Sequence, residues 1–327
     1  MTKDKKQAFD ESKFKPATQE LIKKVENQVG HKLIFDFSKA KKAGFLRHDQ
    51  AQQYLRDGQL HVDVYDLTDP DYTVSHELYH FLLTSQNIPQ VAFNLSTGRR
   101  DLDLKLMTAG VELYDSVLHF TVYKQQKAAG FINDRVKELY FKGILATLKK
   151  EPADAKRDGW MSYRLLTLLD AFIMFQGEAD SILPKLKELY PEATVAAQKL
   201  YQMLAEKPLN DAFSIRKAVV KLYAMYDAQL SRWNLIGMHL NDFVTLTLVL
   251  SKHQQKLEVQ QLFTIYHSQL KEKFQRGDGY IGRWKNDGQN SFVLPEPEKN
   301  SAATFRGIYS MNVADFLKQI GVIYLTR

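Results

Sequence analysis

His76 and His80 stand four residues apart with Glu77, Leu78 and Tyr79 between them, and no other pattern in the chain constrains its structure as strongly. On an α-helix, positions i and i+4 lie one above the other on a single face. Two imidazoles placed this way can grasp one cation. Glu77 is rotated by about 100° from His76. It cannot point with both histidines, but its carboxylate can hydrogen-bond a water in an open coordination position. Zinc lowers the pKa of such a water towards about 7, and the carboxylate can take its proton. The segment is therefore expected to be helical, with a further ligand supplied from elsewhere in the chain.

The flanking residues support a helix at this point. Leu60, Val62 and Val64 alternate with His61, Asp63 and Tyr65, the period of a half-buried strand, and the turn signal Asp57-Gly58 precedes them. Leu33-Ile34-Phe35, within 32–37, predicts a second strand. Asp69-Pro70-Asp71 is helix-start chemistry. The helix is expected over 72–86, closed by Ile88-Pro89, because a residue before proline avoids the helical region. If 60–65 is an edge strand beside this helix, it can hold an extended peptide by main-chain pairing. A long helix is expected over 103–129, ended by Gly130. It carries Glu112, Asp115 and His119, with Asp115 at about −60° and His119 at about −20° from Glu112, so all three share one face.

The motif and the acid-bearing helix that follows it resemble the zincin metallopeptidases, in particular those whose third ligand is a glutamate, over roughly residues 55–125. The resemblance implies Zn²⁺ held by His76, His80 and Glu112. It gives Asp115 the task of accepting a hydrogen bond from a ligand imidazole, and makes His119 an alternative third ligand or an oxyanion donor. Glu77 becomes the general base of peptide hydrolysis, with a peptide or protein as substrate. Tyr72, Tyr79, Tyr114 and Tyr123 are candidates to stabilise an oxyanion, and His61 to touch substrate. A non-enzymatic alternative is a catalytically silent zincin-like scaffold whose helical part binds a protein partner. A helical interaction protein with a chance motif is the third reading. His239, His253 and His267 are not spaced as ligands.

Composition narrows the field further. Without cysteine there are no disulfides, and any metal must use His, Asp or Glu. The net charge of +7 is spread among interspersed acids, as in Lys185-Leu186-Lys187-Glu188, so it reads as solvated surface, and nucleic acid is not expected as a partner. Residues 1–16 lack the apolar core of a signal peptide, and no run of 18 apolar residues predicts a membrane span. The expected location is cytoplasmic; oligomeric state is left open. Further helices are expected at 134–149, 160–176, 180–189, 192–206, 211–233, 239–251 and 254–275. The Gly/Asn-rich stretch 276–300 is expected to be a long loop or small hairpin, and 312–320 a final helix. The fold class is thus α+β and predominantly α-helical: a polar lead over 1–15, a metallopeptidase-like domain over 16–150, a helical domain over 151–275, and a C-terminal loop and helix over 276–327.

Overall fold

The computed structural model describes residues 11–152, 157–274, 277–297 and 301–327. Most of the polar lead, 1–10, lies outside them. The fold is mixed α+β and predominantly helical. It divides into two compact units, each built from two stretches of chain: residues 1–86 with 118–197, and residues 87–117 with 198–327.

The first unit begins with α1 (Pro16–Val29), which has proline in its first turn and is stopped by Gly30 at φ 78°. Three strands follow: β1 (Ile34–Asp36), β2 (Ala51–Arg56) and β3 (Gln59–Val64). Asp57 and Gly58, both at positive φ, turn β2 into β3. Leu60, Val62 and Val64 are fully buried, as their alternation predicts. However, β3 is not an edge strand. It lies between β1, parallel to it, and β2, antiparallel to it, because its inward residues complete the core beneath both neighbours. The open edges belong to β1 and β2.

Helix α2 (Pro70–Thr84) packs Val74, Leu78, Phe81 and Leu82 onto that core. Its N-cap is Asp69, whose side chain accepts from the Tyr72 N–H at 3.1 Å. Helix α3 (Arg100–Ala128) runs through the division between the units. Helices α4 (Asp134–Thr147), α5 (Met161–Phe175), α6 (Leu183–Leu189) and α7 (Pro191–Ala205) follow. The charged stretch 149–159 suggests a domain boundary, but the first unit continues across it. Buried Arg164 on α5 donates to the carbonyls of Lys149 (2.6 Å) and Lys150 (3.0 Å) and pairs with Asp158 (2.6 Å), which ties the described part of the stretch to the helix.

The second unit departs further from the sequence reading. Helix α8 (Ala212–Arg232) stands as expected, but the helices expected at 239–251 and 254–275 do not form. Single helical turns at Leu240–Phe243, Lys252–Gln255 and Val259–Leu262 alternate with strands. These are β4 (Val91–Ala92), β5 (Leu95–Ser96), β6 (Thr245–Leu246), β7 (Leu248–Leu250), β8 (Phe263–Glu272), β9 (Asp278–Trp284), β10 (Asn290–Pro295) and β11 (Tyr324–Thr326). The main sheet runs β10-β9-β8-β5, and the stretch 276–300 contributes its β9–β10 hairpin. Short apolar runs fit helix and strand periods equally, and here the pairing partner decides. At Gly282 a Cβ would sit 2.1 Å from the Phe292 ring, so the hairpin needs glycine there. A helix at Val313–Gln319 matches the one expected at 312–320. Among the described residues no helix is long and apolar enough to cross a membrane.

Candidate metal centre

Helix α2 is buried on nearly every face, and six of its buried side chains are polar: Asp71, Thr73, Ser75, His76, Glu77 and His80. Buried polar groups require partners, and three of these find them away from the motif. Asp71 accepts from the Thr18 hydroxyl at 2.5 Å and the Lys15 N–H at 2.9 Å. Thr73 and Ser75 donate to the backbone carbonyls of Asp69 and Tyr72. The remaining three are the residues of the motif.

His76 and His80 meet His119 of α3. Each of the three offers one ligand atom, and these atoms all lie within 4.8 Å of one another. The ring centroids form a nearly equilateral triangle with sides of 4.7, 4.9 and 4.8 Å, and the rings are mutually tilted by 61–73°. All three residues are at least nine-tenths buried. This is the group among the described residues that can hold a metal ion. Glu112 and Asp115 are not part of it. Glu112 sits two turns earlier on α3, about 10 Å along the axis, and Asp115 one turn earlier. The third position belongs to His119, the alternative ligand of the sequence reading.

The partners of His76 and His119 determine which nitrogen each presents. Gln126, fully buried on α3, spends its amide donors on the Tyr72 carbonyl (3.0 Å) and Ser75 Oγ (2.8 Å). Its Oε1 therefore faces His76 Nδ1 at 3.2 Å, so Nδ1 carries the hydrogen and Nε2 keeps the lone pair. His119 Nδ1 contacts Asp170 Oδ1 in a short hydrogen bond. An ionised carboxylate only accepts, so His119 too presents Nε2. Asp170, rather than Asp115, is the acid that orients a ligand imidazole.

Asp170, 3% exposed on α5, collects further donors. Its Oδ2 accepts from Tyr123 at 2.9 Å and from Tyr140, and lies 3.3 Å from His48 Nδ1. Burial alone would raise its carboxyl pKa. The electrostatic attraction of His119 and His48 and their hydrogen bonds overcome that and hold it well below the ordinary carboxylate value. Burial and the Asp170 charge push the Tyr123 and Tyr140 phenols well up, so both remain donors. For His76 and His80, burial and then the neighbouring imidazoles push the pKa well down. Neutral imidazoles are the form that binds metals.

This has a consequence for the metal-free protein. The unfolded chain takes up protons at His76 and His80 as the pH falls through the ordinary imidazole value of 6.5, whereas the folded chain resists them until lower pH. The stability contribution is therefore complete above that value and lost below it. The thermal midpoint of the metal-free protein is expected to drop on crossing 6.5 downwards. A midpoint that stays level would contradict neutral burial of the pair.

Glu77 is 8% exposed, beside the first histidine. After burial and nearer charges, its carboxylate helps raise the hydroxyls of Tyr65 and Tyr72. The tyrosines singled out by sequence have other tasks. Tyr123 donates to Asp170, Tyr114 donates to the Pro89 carbonyl at 2.7 Å, and Tyr79 packs against Phe131. The Tyr72 ring lies 6.2 Å from His76. His61 stacks on Tyr54, and His267 faces Asp278.

Sequence reasoning missed Gln126, Asp170, Tyr140 and His48. Two of them left a signal. His119, Tyr123 and Gln126 form an i, i+4, i+7 stripe on α3, and Asp170 is a single acid in the apolar run Leu168-Leu169-Asp170-Ala171-Phe172-Ile173. His48 and Tyr140 have no spacing that marks them. No protein-family model matches the chain, and no curated protein or solved structure matches it either.

Proposed function

We propose that this chain is a zinc-dependent hydrolase that cleaves peptide bonds. The observation that carries the reading is the cluster of three buried imidazoles, two with the tautomer fixed, their ligand atoms within 4.8 Å of one another, with Glu77 next to His76 in the chain. Three nitrogen ligands and one open position are the donor set of a catalytic zinc site. When bound there, zinc polarises a carbonyl and lowers the pKa of a coordinated water.

The chain's own residues do the rest. His76, His80 and His119 bind as neutral ligands. Gln126 and Asp170 keep two of those rings turned towards the ion. Glu77 accepts the proton of the attacking water and delivers it to the leaving amine. Burial of the histidines excludes bulk water from the ligands. The ligand set is neutral, and the negative charge of Asp170 acts through His119.

A mixed peptide library incubated with the zinc-loaded protein tests this. Cleavage is expected, is expected to stop on chelation, and is expected to return on adding zinc. Metal binding with no cleavage of any peptide would replace the hydrolase with the silent-scaffold alternative.

A further inference from the structure

We infer that His48 is a positioning residue of the metal centre, delivered by a loop that can reach it only because residue 143 is glycine. The inference rests on the proposed metal site and extends it to a part of the chain that carries no ligand.

The loop between β1 and β2 is held along its length. The Ala43 N–H donates to Asp66 at 2.6 Å and the Gly44 N–H to Thr68 at 2.9 Å. Gln50, buried, accepts from the Arg47 N–H at 2.9 Å and donates to the Phe45 carbonyl at 3.2 Å. Between these ties the loop lies directly on α4. The Leu46 N–H donates to the Leu139 carbonyl at 3.0 Å, and the Leu46 carbonyl faces Gly143 one turn further on. A Cβ at position 143 would stand 2.0 Å from that carbonyl oxygen and 3.0 Å from its carbon. Both are backbone atoms, which cannot swing aside. Glycine inside a helix weakens it, and here it permits a close approach of backbone.

Two residues past the contact, His48 reaches Asp170. Its Nδ1 lies 3.3 Å from Asp170 Oδ2, and its ring centroid is 5.6 Å from that of His119. His48 thus holds one carboxylate oxygen from the loop side, Tyr123 and Tyr140 hold it from α3 and α4, and the other oxygen is turned to His119. A carboxylate fixed at both oxygens sets the angle at which the ligand ring meets the ion.

Cobalt(II) is the probe, because its visible absorption reports ligand geometry directly. The full-length chain is expected to bind cobalt at one site. His48→Leu should weaken binding by about 10-fold or more and alter the visible band. His48→Asn should recover both, since its amide N–H can occupy the place of Nδ1–H. Gly143→Ala should reproduce the His48→Leu spectrum, and if that variant does not fold, the two His48 variants decide. Wild-type affinity and spectrum in His48→Leu, or no recovery in His48→Asn, would overturn the inference and leave the metal site standing. Absence of cobalt binding by the wild-type chain would instead overturn the metal site itself, and this inference with it.

Discussion

Glu77→Gln is expected to lower peptide turnover by about 10²–10⁴-fold, the range that a positioned proton-transfer group supplies, while the protein still takes up its metal. The substitution keeps the volume and planarity of a side chain that is 8% exposed, so packing around α2 is preserved. It removes the ability to accept a proton. His76, His80 and His119, which would bind the ion, are untouched. Turnover and metal content measured on the same preparation separate the possibilities. Full turnover in the variant would remove Glu77 from the chemistry, and loss of metal would make it part of the ligand set.

The second large effect distinguishes two residues on one helix. His119→Ala is expected to weaken zinc binding by well over 100-fold, beyond the roughly 10–100-fold that follows loss of an orienting partner. It removes one of three donors and the hydrogen bond that Asp170 makes through Oδ1. Glu112→Ala, two turns away on α3, is expected to leave zinc affinity unchanged. A competition titration against a chromophoric chelator measures both. The reverse pattern, tight binding without His119 and weak binding without Glu112, would restore the glutamate-ligated arrangement of the zincin resemblance.

The site was partly legible before the structure. Four-residue spacing fixes two ligands and a neighbouring acid on one helix, because helix geometry is local. The N-cap at Asp69 and the alternation of Leu60, Val62 and Val64 are local as well, and both stand in the structure. The third ligand depends on how α3 lies against α2. Helical angle alone could not separate Glu112 from His119, since both share a face. His48 and Asp170 come from segments 28 positions before the motif and 90 after it, and no periodicity connects them to it. In the second unit the same limit applied to strands: Phe263–Glu272 becomes β8 because β9 and β5 pair with it, and a pairing partner is not a property of the run itself.

Zinc uptake by the metal-free protein, measured by atomic absorption after excess ion is removed, bears most immediately on the triangle of imidazoles. One zinc per chain is expected for the wild-type protein, with none above background for His76→Ala or His80→Ala. A wild-type protein that retains no more zinc than those two variants would show that the three rings pack together without holding an ion.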